Sequence, residues 1–110
     1  MPSDPSYDMP PHELAARLRG PEPPLLVDVR EPWEHRIASI PGARLVPLGA
    51  LPAALSTFDP GREYVLLCHH GVRSLTALHL LRERGLTRLA HLAGGIDAWS
   101  TDVDPDVPRY

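Results

Sequence analysis

The segment Cys68-His69-His70-Gly71-Val72-Arg73-Ser74 concentrates the side chains of this protein that can do chemistry. Cys68 is the only cysteine. It follows a short apolar run, Tyr64 to Leu67, and precedes a helical one, Leu75 to Arg84. Where a strand hands over to a helix, backbone N–H groups can converge on an anion. A cysteine thiolate is an anion suited to such a place. Gly71 permits the backbone geometry of a tight anion cradle. Arg73 is a cation in a first helical turn, where it opposes the helix dipole. An anion between Arg73 and the loop would remove that conflict.

The residues by themselves leave two readings of Cys68 open. A free cysteine is often a small buried hydrophobe. Here the following residues are polar and a helix starts within six positions, which favours a reactive thiol. A Cys–His hydrolase is a further possibility in principle. A metal site is not expected, because adjacent histidines seldom ligate one ion and no spaced second pair is present. His69 and His70 are expected to line a rim and touch substrate. Asp28, at the end of a buried run, must find donors in loop N–H groups or an arginine. Arg30 and Glu31 follow it, and Glu31 is read as a helix cap. Trp33 and Trp99 are read as core or lid packing. His12, His35, His79 and His91 receive no role.

The elements around these residues alternate. His12 to Arg19 has helical spacing and ends at Gly20. Leu25 to Val29 suits a strand buried on both faces. A short helix opens at Glu31-Pro32 and runs to about Ile37. Ile40 to Ala43 is a turn, Arg44 to Leu48 a strand, Gly49 to Leu55 a helix, and Phe58 to Gly61 a turn. Tyr64 to Leu67 is the clearest strand and Ser74 to Glu83 the clearest helix, closed by Gly85. Leu89 to Leu92 is a last strand, and a helix is expected around Ile96 to Trp99. Residues 1–11 and 102–110 are expected to be extended terminal segments. The alternation favours a parallel α/β sheet covered by helices on both faces. Ligands of such sheets sit outside the carboxyl ends of the strands, where Asp28 and Cys68 both lie.

Composition narrows the function. With 110 residues the chain is expected to be one domain with a real hydrophobic core. A net charge of −3 gives no reason to expect nucleic acid or an anionic membrane as partner. All 11 basic residues are arginine, so Schiff-base catalysis is excluded. A single cysteine rules out an internal disulfide. No leader-like or long apolar segment is seen, and a cytoplasmic location, which would keep Cys68 reduced, is the expectation.

Four stretches in register carry a resemblance: Asp28-Val29-Arg30-Glu31, Ile40-Pro41-Gly42-Ala43, the loop Cys68 to Ser74, and Leu92-Ala93-Gly94-Gly95-Ile96-Asp97-Ala98-Trp99. Together they resemble a single-domain rhodanese, from about Met9 to Tyr110. The ending Val103 to Tyr110 is similar to the tail of rhodanese domains fused to E1-like enzymes of molybdopterin and thiamine biosynthesis. The 110 residues hold no adenylating domain, so a stand-alone sulfur donor for such a pathway is one expectation. Ala38-Ser39 stands where the family often has Gly-His, and His35 where it often has an aromatic residue.

The resemblance implies a rhodanese-like fold with a five-stranded parallel sheet. It implies a sulfurtransferase that needs no cofactor and no metal, with Cys68 as the catalytic residue. Loop residues His69, His70, Gly71, Val72, Arg73 and Ser74 would bind substrate, and Asp28 and Arg30 would support them. Four residues separate Cys68 from Arg73, as in the sulfurtransferases; related phosphatases have five. Sulfane sulfur would pass from an anionic donor such as thiosulfate, through a Cys68 persulfide, to an external thiol, cyanide or a sulfur-carrier protein. No second cysteine can resolve the persulfide within the chain. Lowering a thiol pKa raises the thiolate fraction and lowers its nucleophilicity, and the two nearly cancel. The loop is therefore expected to act by holding the donor and the persulfide among N–H groups. Other readings are a persulfide carrier or sensor without turnover, and a small phosphatase.

Overall fold

Three apolar runs build the middle of a parallel sheet in the computed structural model, which describes residues 7–110. They are Leu25–Asp28 (β2), Tyr64–Leu67 (β4) and Leu89–Leu92 (β5). β4 is buried along its whole length, as a strand covered on both faces must be. Two short edge strands complete the sheet, Asp8–Met9 (β1) and Arg44–Leu45 (β3). The strand order is β1-β5-β4-β2-β3, and every pairing is parallel.

Successive side chains of a strand point to opposite faces, and this divides the core in two. Leu26, Val65, Leu67 and Leu92 pack with Leu14 and Ala15 of helix α1 (Pro11–Leu18) and with Ile96 and Trp99 of α5 (Gly95–Asp102). Val27, Leu66 and Cys68 pack on the other face with Ala77, Leu78 and Leu81 of α4 (Val72–Glu83). Leu51 of α3 (Leu51–Ala54) joins that second core. The remaining helix, α2 (Pro32–Ile37), lies between β2 and β3 in the chain. The expected five-stranded parallel sheet with helices on both faces is the architecture found. No described helix is long and apolar enough to cross a membrane.

Several boundaries differ from the expectation. Asp8–Met9 is a strand, not part of an extended arm, because Met9 is buried and the segment pairs with β5. Pro11 of the expected arm opens α1, with Pro10 as its cap, and residues 1–6 lie outside the described residues. The strand expected over 44–48 closes at Leu45, although the Val46 and Leu48 N–H groups still bond to the Asp28 and Val29 carbonyls. Pro47 between them interrupts regular pairing. The helix expected over 49–55 is broken into a 3₁₀ turn at Leu48–Ala50, α3, and a second 3₁₀ turn at Leu55–Thr57. Helix α4 begins two residues before the expected start. The expected extended tail is only partly so: Asp102 belongs to α5, and Tyr110 returns to the C-terminal edge of the sheet. Trp99 is buried, whereas Trp33 is 53% exposed and meets Tyr110 edge-on.

Candidate active site

Cys68 directly follows β4 and is 1% exposed. Its Sγ accepts a hydrogen bond from the Gly71 N–H at 3.0 Å. Gly71 caps α4 with φ +109°, a conformation that costs glycine little. No side chain caps α4. Its first N–H groups have no helical carbonyl to bind, and they carry the positive end of the helix dipole. The other side of the loop is held by α5. The Ile96 N–H donates to the Cys68 carbonyl at 2.8 Å and the Asp97 N–H to the His69 carbonyl at 3.1 Å. This approach requires Gly95, since a Cβ there would lie 2.3 Å from the His69 carbonyl oxygen.

Arg73 has found its anion within the protein. Its guanidinium makes two bonds to the Glu34 carboxylate of α2, at 2.5 and 2.8 Å. That carboxylate also accepts from the Tyr110 hydroxyl at 2.7 Å and the Glu31 N–H at 3.0 Å. The Arg73 bonds above all hold the Glu34 carboxyl down to about 2, against the opposing effect of burial. The same pairing raises the pKa of Arg73. Burial raises the Tyr110 hydroxyl to about 12, so it remains a donor to Glu34.

Beneath this pair lies a second one. Arg30 is fully buried and grips Asp28 through Nε and Nη2 at 2.9 and 2.7 Å. It also donates to the Ala38 and Glu34 carbonyls and to the Tyr110 oxygen. Asp28 takes a further contact from His35 Nδ1 at 2.8 Å. The donors that Asp28 needed are therefore Arg30 and His35. The two buried ions position α2 and the tail; they do not reach the thiol.

The rim is aromatic. Tyr110 stacks on His69 with centroids 4.0 Å apart, and His69 on His70 at 3.9 Å. Desolvation, then the neighbouring His70, lowers the His69 pKa. His69 Nε2 is buried and has no hydrogen-bond partner among the described residues. His70 is exposed, and so is Val72 at 76%. His69, His70 and Asp97 bring one ligand atom each within 4.8 Å of one another. Asp97 is already paired with Arg109, and the stacked imidazoles share one orientation, a poor start for coordination.

Ser74 faces the other way, toward the sheet. Its Oγ lies 3.4 Å from Cys68 Sγ and 3.0 Å from His91 Nδ1. The expected loop residues thus separate: Arg73 points to α2 and the tail, Ser74 to β5. Sequence reading missed Glu34, Tyr110 and His91. Glu34 carried one signal, its place three residues after the Glu31 cap. Tyr110 and His91 carried none.

A parallel sheet whose fourth strand ends in a cysteine-headed loop and an uncapped helix defines a rhodanese-like α/β domain. The sequence model of the rhodanese-like domain matches residues 10–102, and the chain belongs to that family. It is 43% identical over 96 residues to the adenylyltransferase and sulfurtransferase MOCS3-1 of Zea mays, covering 81% of this chain and 20% of that protein. It is 38% identical over 87 residues to a sulfurtransferase of Allochromatium vinosum, covering 79% and 81%. The crystal structure of a rhodanese-like domain protein from Staphylococcus aureus superposes with a TM-score of 0.82 at 29% identity, covering 94% and 98%. The chain spans only about a fifth of the MOCS3 relative's length.

Proposed function

We propose that this protein is a sulfurtransferase that carries sulfane sulfur as a Cys68 persulfide. The observation that carries the reading is the Cys68 Sγ, seated 3.0 Å from the Gly71 N–H at the uncapped start of α4. The four-residue spacing to Arg73 and the sulfurtransferase names of similar proteins support it.

In the first step the Cys68 thiolate attacks the outer sulfur of an anionic donor such as thiosulfate. A new S–S bond forms, the donor's S–S bond breaks, and sulfite leaves with the electron pair. In the second step an external thiolate, cyanide or a cysteine thiolate of a protein acceptor attacks the outer sulfur. The Cys68 thiolate leaves with the electron pair, and no oxidant or reductant beyond donor and acceptor is consumed. The loop N–H groups stabilise the thiolate and the persulfide through charge-assisted bonds of about 1.5–3 kcal/mol each. Arg73 anchors the loop through Glu34, and its positive charge remains beside the incoming anion. His69 and His70 form the rim that an acceptor must meet. Asp28 and Arg30 keep α2, and with it Glu34, in place. The reaction needs a reducing compartment such as the cytoplasm, where the thiol survives.

The test is mass spectrometry of the intact protein after thiosulfate treatment. Gain of one sulfur, lost in Cys68→Ser with an unchanged circular dichroism spectrum, is expected. Loading that persists in Cys68→Ser would overturn the assignment. Turnover with excess cyanide or thiol distinguishes an enzyme from a persulfide carrier. No hydrolysis of phosphate esters is expected.

A further inference from the structure

We propose that Ser74, His91 and Asp8 form a proton relay that takes the thiol proton of Cys68 out of the site. The idea rests on Cys68 being the reacting thiol. It extends that reading to two residues, His91 and Asp8, outside the loop.

The chain of contacts is continuous and runs one way. The Cys68 thiol donates to Ser74 Oγ at 3.4 Å. Ser74 Oγ and His91 Nδ1 lie 3.0 Å apart, and His91 Nε2 and Asp8 Oδ1 lie 2.7 Å apart. Asp8 and His91 are register partners on β1 and β5, which brings their side chains together. An ionised carboxylate only accepts, so the proton of a neutral His91 belongs on Nε2. Nδ1 is then a bare acceptor for the Ser74 hydroxyl. A lone pair of Ser74 Oγ is left facing the thiol. One tautomer satisfies all three contacts.

Burial gives the relay a purpose. Cys68, Ser74 and His91 are 1%, 0% and 5% exposed, so water does not bathe the thiol. The Asp8 side chain is 36% exposed and lines a cavity of about 750 Å³ beside α4. As the thiol S–H bond breaks, its proton moves to Ser74 Oγ. The original Ser74 hydroxyl proton moves to His91 Nδ1. The products are a thiolate held by the Gly71 N–H and an imidazolium held by Asp8. After the acceptor takes the outer sulfur, the same chain returns the proton to Cys68. Other titratable groups around His91 are His70 from the loop and His79 and Glu83 from α4, which line the same cavity. Arg73 is the cation whose charge is felt at Cys68, and it is held by Glu34.

The test is the rate of Cys68 alkylation by iodoacetamide between pH 5 and 10, with thiosulfate loading followed in parallel. His91→Gln keeps a donor for Asp8 but cannot take a proton. It is expected to slow alkylation at pH 7 about tenfold, a displacement of about one pH unit, and to reach the wild-type rate at high pH. Asp8→Asn is expected to shift the profile the same way by about threefold. Ser74→Ala should behave like His91→Gln, and Ser74→Thr should restore the wild-type profile. A wild-type profile in His91→Gln, or an equal loss at every pH, would overturn the relay and leave a structural pin. Should His91→Gln not fold, an unshifted profile in Asp8→Asn, at the half-exposed end, overturns it. Alkylation needs no sulfur donor. Failure of thiosulfate loading in the wild type therefore sinks the proposed function, and an unshifted alkylation profile sinks the relay alone.

Discussion

Two hydrogen-bonded networks flank Cys68, and they are built from different chemistry. On the α2 side, Asp28, Arg30, Glu34 and Arg73 form a closed set of fixed charges, bridged by the neutral Tyr110 hydroxyl. Every carboxylate there faces a guanidinium, so no proton has reason to move. On the β5 side, Ser74 and His91 form an open chain of groups that can each give one proton and take another, and the chain ends on the acceptor Asp8. The first network holds the loop in shape through Arg73. The second begins at the thiol itself. Adjacent residues, Arg73 and Ser74, thus belong to different machines, because successive side chains of a helix's first turn point about 100° apart.

Substitutions on the ionic side should act on stability at every pH where Glu34 is charged. Glu34→Gln leaves the half-buried Arg73 and Tyr110 badly matched. It is expected to cost about 2–3 kcal/mol and to reduce turnover severely; urea denaturation and a thiosulfate:cyanide assay check both. Gly95→Ala forces a Cβ against the His69 carbonyl and breaks the cradle from the α5 side. A loss of about 2–3 kcal/mol, with impaired persulfide loading, is expected. Should it instead load normally, α5 would have no part in shaping the loop.

Acid titration separates the two networks further. The Glu34 carboxyl sits near 2 in the folded protein against 4.5 ordinarily. Its folded value is depressed, so its contribution is complete above about pH 5 and is lost as the pH falls from there toward 2. Wild-type stability is expected to drop through that window, and Glu34→Gln to lack that share of the drop. Thermal melts at pH 6, 4 and 3 measure it. Tyr110→Phe removes the hydroxyl between Arg30 and Glu34 but keeps the ring on His69. It should cost about 1–2 kcal/mol. The smallest effect is expected for His35→Ala, below about 1 kcal/mol, because Arg30 still satisfies Asp28.

Local signals made much of this protein legible. The runs Tyr64–Leu67 and Leu89–Leu92 coincide with β4 and β5 to the residue; β4 is buried on both faces and apolar throughout, while β5 is half-buried at its start and carries His91. Cys68, Gly71 and Arg73 could be placed on one loop because they are neighbours in the chain. Of the two edge strands, β3 is legible at its start but not at its end, and β1 is not legible. Asp8–Met9 and Arg44–Leu45 are two residues each, too short for any periodicity to register.

What the sequence determined by itself was the chemistry available: one thiol, an anion cradle after a buried strand, a cation five residues on, and no second cysteine. Tertiary structure decided what each of these groups faces. Arg73 was expected to need an anion, and only the packing of α2 against the loop supplied Glu34, 39 residues away. Tyr110 reaches Arg30 across 80 residues, and His91 reaches Asp8 across 83. A local pattern fixes backbone geometry over a few residues. The partner of a buried polar side chain is set by strand register and helix docking, and neither is written near the residue it completes.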